Sequence, residues 1–315
     1  MDNDGLGLQI IKGLRKPIEA CGIDYDLLKK MASHDNPLYL AVHDKNLGME
    51  KLDYLERDGL YTILARPAGI EYLRRHVYFI NGELAIDEKV IDNAVEAQNF
   101  YMKMYKNVYL RKSSAIAQRM VQKMVYHLIA AGEITVDDLP KLTDSELVGF
   151  IYFSRDETVK TLYRFLRRRD LFREAIIFRP EAFAKSEEKN GKSVKVFGVT
   201  SGEIKGLTSS PSLKQKNLSG LEELEGKIAA LSGIPKNSVL IVPVFNPDRF
   251  TAKDIKIYKS NGNPESLQKL LPAHFKNMEE IAHSYWTLRI CTQEQYRNTL
   301  SSPKVAKEIF DLLIK

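Results

Sequence analysis

Between Met49 and Asp58 the chain reads Met-Glu-Lys-Leu-Asp-Tyr-Leu-Glu-Arg-Asp, the segment with the densest set of groups able to do chemistry. At about 100° per residue, a helix here would gather Glu50, Tyr54, Arg57 and Asp58 within roughly a quarter of its circumference. Met49, Leu52 and Leu55 would point the other way, into a core. Two carboxylates, a phenol and a guanidinium on one face make a surface that can bind a polar ligand. The same spacing also describes a solvated helix face, and spacing alone leaves both readings open.

Composition narrows the classes. The chain has 315 residues, 44% hydrophobic and 28% charged, enough for two soluble globular domains with sizeable cores. No apolar run approaches the ~18 residues needed to span a bilayer. The acidic start, Met-Asp-Asn-Asp-Gly-Leu-Gly-Leu, is not a secretory signal, which predicts a cytoplasmic location and no membrane partner. Cys21 and Cys291 stand far apart without ligand partners, so they are expected to be reduced, buried thiols. The net charge of +6 and pI near 9.0 favour anionic partners such as nucleotides, nucleic acid or phosphates.

The elements that must position these groups follow from periodicity. Apolar residues recur at helical spacing in 8–20, 86–109, 115–131 and 159–166, so residues 1 to about 178 read as helical. Asp87 can cap a helix starting Glu88-Lys89-Val90, and Thr143-Asp144-Ser145-Glu146 has capping-box order. Asn81-Gly82 between short apolar runs predicts a small β-ribbon near 77–86. From 185 to 218 the composition turns polar. A strand is expected at Val194–Val199, with mobile loop through Ser212. Beyond lies a mixed α+β pattern. It has helices at 221–231, 272–282 and 303–313, and strands at 239–244, 254–258 and 285–291. The domains expected are therefore 1–178, a polar linker or insertion at 179–220, and an α+β lobe at 221–315.

The string Glu50-Lys51-Leu52-Asp53-Tyr54-Leu55-Glu56-Arg57-Asp58 resembles the last metal-ligand helix of the HD-domain phosphohydrolases, of the form Asp-Lys-x-Asp-Tyr-x-x-Arg-Asp. The branch it resembles is the deoxynucleoside triphosphate triphosphohydrolases, including the sterile-alpha-motif-and-HD-domain type. Asn81–Lys89, Met104–Lys112, Leu142-Thr143-Asp144, Arg169–Arg173 and parts of 255–290 are similar to later family segments in the same order. The fold class implied is a mainly α-helical, partial HD-type domain followed by a smaller α+β lobe. The activity implied is hydrolysis of a dNTP to deoxynucleoside and triphosphate at a divalent metal (Mg, Mn, Fe or Zn), which activates the attacking water. By position, Glu50 would be a metal ligand, Lys51 and Lys112 phosphate contacts, Tyr54 the sugar neighbour and Asp58 the partner of the 3′-hydroxyl. Arg111 stands where the family has His, keeping a cation and losing a group that titrates near neutrality.

Two departures shape the expectation. Glu50 replaces an Asp and is one methylene longer. The family's upstream His and His-Asp pair lie roughly a hundred residues before this helix, whereas only 49 residues precede Glu50 here. His34-Asp35 and His43-Asp44 are expected to be decoys. A single carboxylate does not hold a catalytic divalent ion with useful affinity. The chain alone is thus expected to be inactive, as a truncated frame or a divergent member. The alternative from another class is a non-catalytic nucleotide-binding or oligomerising protein of the same fold. Expected partners are a dNTP or other nucleotide and a second copy of the chain, with nucleic acid secondary because aromatics are not interleaved with a basic stripe. The cluster Arg164, Arg167, Arg168, Arg169 is assigned a structural role joining the lobes, with a polyanion contact second. His127 is expected to be a satisfied core residue, and His274 and His283 show no ligand spacing.

Overall fold

The structure, a computed structural model, describes residues 3–184, 188–189, 192–243, 253–259 and 264–314. The chain divides into two compact units, residues 1–108 with 251–280 and residues 109–250 with 281–315. Both units are built from separated stretches of chain, and they cross the boundaries near 178 and 220 drawn from composition. Elements are numbered along the whole chain.

The first unit opens with α1 (Asn3–Gly13), α2 (Arg15–Ala20), α3 (Tyr25–Ala32) and α4 (Leu40–His43). The helix expected over 8–20 is broken at Leu14. Cys21 caps the end of α2 and is exposed, against expectation, because Gly22 with φ 73° turns the chain away there. Next come α5 (Met49–Ile63), α6 (Ile70–Arg74), β1 (Val77–Ile80), β2 (Glu83–Asp87) and α7 (Ile91–Met104). α7 runs on into one π turn, Tyr105–Tyr109. Asn81 and Gly82 both take positive φ (51° and 83°), the geometry a two-residue hairpin requires, so the ribbon forms where the pair predicts it. Late in the chain, β8 (Lys256–Tyr258), β9 (Pro264–Ser266), α13 (Leu267–Leu270) and most of α14 (Pro272–Ser284) return to this unit. β8 pairs parallel to β2, giving a sheet of order β1-β2-β8-β9. Its core joins Leu47, Leu52, Ile70 and Leu73 to Ile86, Val90, Ile257 and Leu267.

The second unit holds α8 (Lys112–Ala130), α9 (Asp144–Phe153), α10 (Glu157–Arg167), β3 (Arg173–Pro180), the two-residue strands β4 (Glu188–Lys189) and β5 (Lys192–Ser193), and β6 (Lys195–Val199). α11 (Ser201–Ser209), α12 (Leu218–Ser232), β7 (Val239–Val242), β10 (Leu288–Thr292), α15 (Arg297–Ser301) and α16 (Pro303–Ile314) complete it. Val244, assigned to a strand from sequence, lies outside the described residues. The sheet order is β6-β3-β10-β7, with β6 parallel to β3 and the other pairs antiparallel. Alternation along β7 shows why the strands read as continuous apolar runs. Val239 and Ile241 enter a core with Ile228, Trp286 and Ile309, and Leu240 and Val242 enter another with Met120, Met124 and Leu162. The loop expected through 200–212 is instead largely α11, started by a capping box between Thr200 and Glu203. Composition concealed it because two of its nine residues are Ser, one is Thr and two are Gly. The box expected at Thr143 and Glu146 forms at the head of α9. No helix among the described residues is long and apolar enough to cross a membrane.

Candidate functional site

α5 forms as its pattern predicts, with Leu52 and Leu55 fully buried, although Met49 at its first turn is exposed. Gly59 sets its distance from α7. A Cβ there would lie 2.6 Å from both Phe100 Cζ and the Ala65 carbonyl oxygen, so only glycine fits. This close approach brings Lys51 of α5 to Tyr101 of α7, with the ammonium 3.7 Å from the ring centroid. Lys51 also donates to the Lys45 carbonyl oxygen at 2.5 Å. Burial pushes its pKa down to about 8, against a weaker upward pull from Asp44. No carboxylate lies within ion-pair distance of it among the described residues, so its remaining N–H donors are open to an anion.

Tyr54 is half-buried on the same face. Burial first, then Tyr105, Glu50 and Asp58, hold its phenol well above the usual range, so it stays a neutral hydrogen-bond donor. Tyr101 and Tyr105 meet edge to face at 4.6 Å on the next turns of α7, where the π turn begins. Asp58 is partly exposed, 3.9 Å from the Arg57 guanidinium, which itself pairs with Asp53. The first unit therefore presents a cation, three phenols and a carboxylate along α5 and α7. Tyr101 and Tyr105 were given no role from sequence. Their i, i+4 spacing and the place of Tyr105 in the family-like segment Met104–Lys112 were the signals, and they acquire meaning once α7 packs on α5.

Glu50 and His43 are joined in a way the sequence reading missed. His43 Nδ1 lies 2.6 Å from Glu50 Oε2, although only six residues separate them in the chain. Asp44 makes this possible: its carboxylate accepts the Asn46 and Leu47 amides at 2.8 and 2.7 Å, folding a tight turn between α4 and α5. Asp44 is thus a turn residue. A divalent ion does not fit the described residues. Glu50 and His43 are both exposed and paired with each other, the His34 ring sits 5.9 Å from that of His43 and stacks on Tyr39, and no group of three or more His, Cys, Asp or Glu among the described residues is placed to hold a metal.

Arg111 and Lys112 belong to the second unit, at the head of α8. Arg111 is exposed. The Lys112 ammonium is 3.3 Å from Glu174 Oε2, a buried carboxylate that also accepts from Arg289 Nε at 2.9 Å. His127 differs from the satisfied core residue expected. It sits between Asp156 and Glu222, 3.6 Å from each, with no partner of its Nε2 within 3.5 Å among the described residues. His274 is satisfied instead, with Nε2 2.9 Å from Gln98 Oε1.

Residues 70–197 match the family model of the HD associated region, a span that begins just after α5. No curated protein matches the chain. Solved structures similar to it include a phosphohydrolase from Bacteroides thetaiotaomicron VPI-5482, with TM-score 0.60 and 17% identity over 91% of this chain and 71% of that one. A hypothetical protein from Aquifex aeolicus is similar at TM-score 0.52 and 14% identity, over 87% of this chain and 60% of its own. At these identities the likeness is one of fold. Residues 70–197 are thus similar to the HD associated region, and the fold of the chain is similar to that of a phosphohydrolase.

Proposed function

We propose that the α5–α7 face of the first unit binds the triphosphate and sugar of a deoxynucleoside triphosphate, and that residues 1–315 bind this nucleotide without hydrolysing it. One observation carries the reading: Lys51 is a desolvated ammonium held on an aromatic face with no carboxylate partner within reach among the described residues. Such a cation is stabilised when a phosphate oxygen supplies the missing charge. Tyr54, kept protonated, and Asp58 sit one and two turns further along the helix, in the order phosphate, sugar, hydroxyl implied by the family resemblance. Binding without turnover is supported by the ligand chemistry around Glu50, whose one ion-pair partner among the described residues is His43.

The test is calorimetric titration of the whole chain with each dNTP, together with an assay for released triphosphate in Mg²⁺ and Mn²⁺. Lys51→Ala is expected to weaken binding roughly tenfold or more, the worth of a hydrogen bond to a charged group. Triphosphate release is expected to stay at background. Metal-dependent release abolished by Glu50→Ala would overturn the binding-only reading, and unchanged affinity in Lys51→Ala would overturn the site.

A further inference from the structure

We infer that α9 and α10 form a binding surface for single-stranded nucleic acid. Along the chain the exposed rings of Tyr152 and Phe153 stand more than ten residues before Arg164, apart from the basic residues of 160–169. The fold interleaves them in space. Lys160, Arg164, Arg167 and Arg168 stand at i, i+4, i+7 and i+8, a stripe about 100° wide on one side of α10. The opposite side buries Thr158, Val159 and Leu162, so the stripe faces outward. Lys160 is paired with Glu157 at 2.7 Å. Arg164, Arg167 and Arg168 have no ion pair or side-chain hydrogen bond among the described residues. Some exposed helical bases elsewhere are paired along their helices, as in Arg15–Glu19, Arg57–Asp53 and Lys227–Glu223. With Arg169, these guanidiniums supply four charges in a chain whose net charge is +6.

The aromatic ingredient comes from the end of α9. This helix is apolar nearly all round yet buries only Ile151, which is unusual for a helix of that composition. Tyr152 is 54% and Phe153 79% exposed. Their rings meet at 4.8 Å, and Tyr152 lies 6.0 Å from Tyr163 of α10. Tyr163 in turn lies beneath the Arg167 guanidinium at 5.9 Å. Phe153, Tyr152, Tyr163 and Arg167 thus form one continuous ledge beside the stripe. Exposed rings next to a row of unpaired cations suit the two repeating features of a single strand, base faces and phosphates. A duplex hides its base faces, and an acidic peptide would engage the cations while leaving the rings exposed to water.

The test uses the whole chain and a labelled oligothymidylate of about 20 nucleotides in fluorescence anisotropy, over a series of salt concentrations. Four phosphate contacts on a single strand predict log K falling with log salt at a slope of about −3. The variant R164A/R167A/R168A is expected to bind at least tenfold more weakly and to lose about two units of that slope. Y152S/F153S is expected to lose at least about fivefold in affinity with its slope unchanged, since stacking carries no counterion term. All these side chains are exposed, and thermal melts should show both variants folded. Undiminished binding in the arginine variant overturns the proposal. So does a loss in Y152S/F153S that sedimentation traces to disruption of a dimer, and so does preferential binding to phosphatidylserine vesicles that the oligonucleotide cannot displace.

Discussion

Lys51 shows how a single residue's surroundings set its chemistry. Its pKa of about 8 lies below the ordinary lysine value, so it is charged at neutral pH and loses its proton within an accessible range. Affinity for a dNTP is therefore expected to be constant below pH 8 and then to fall, by up to about tenfold per pH unit, as the free protein deprotonates. Calorimetry at pH 7, 8 and 9 checks this, and Lys51→Ala should remove the dependence. Glu222 makes the opposite case. Burial pushes its carboxyl up, but the His127 ring and the Lys123 ammonium outweigh burial and bring it down to about 2. The folded pKa is below the unfolded one, so this stabilisation is fully present above about pH 4.5 and is lost as pH falls toward 2. Glu222→Gln should flatten the stability curve in that window, as followed by denaturant titration at each pH.

At the scale of the element, the α5–α7 contact decides whether the candidate site exists. Gly59→Ala would place a methyl against Phe100 and the Ala65 carbonyl, and the backbone oxygen cannot move aside as a flexible side chain would. The gain in helix propensity, about 1 kcal/mol, is outweighed by overpacking. A net loss of about 2 kcal/mol is expected in chemical denaturation, together with weaker dNTP binding as Lys51 and Tyr101 separate. The end of α10 illustrates a stop without its usual residue. Arg169 takes φ 56° where glycine is favoured, and the Asp170 amide reaches back to the Phe165 carbonyl at 3.0 Å. No glycine marks this stop in the sequence, so periodicity alone could not locate it.

Within the second unit, one buried network ties helices to sheet. Glu225 of α12 accepts Arg119 Nη2 at 3.0 Å and the Ile241 amide of β7 at 2.8 Å on one oxygen, and the Lys123 ammonium at 2.5 Å on the other. Arg119, Lys123 and Glu225 are all nearly inaccessible; Lys123 also pairs with Glu222 at 2.7 Å, whereas the Arg119 guanidinium has Glu225 as its one carboxylate partner among the described residues. Glu225→Gln is expected to cost about 3 kcal/mol, because it leaves charge uncompensated in a dry interior. A smaller loss in the double variant Glu225→Gln with Arg119→Met, measured by the same denaturant titration, would show that the cost lies in the orphaned guanidinium.

Local rules were legible in the sequence. Helical and alternating periods placed most elements, Asn81-Gly82 placed the ribbon, and Thr143 with Glu146 placed a helix start, because each depends on residues within a few positions of one another. The charged face of α5 and the candidate roles of Lys51, Tyr54 and Asp58 were legible in the same way, through spacing and a family resemblance. What only the tertiary structure decided were juxtapositions across distance. β8 lies beside β2, His43 against Glu50, Tyr101 beneath Lys51, and Glu225 holds Arg119 and Lys123. These pairings come from burial of apolar surface by elements remote in the chain, and no local period records which surfaces meet. For the same reason the chain keeps Tyr152 and Phe153 apart from the arginines of 164–169, and the packing of α9 on α10 brings them together.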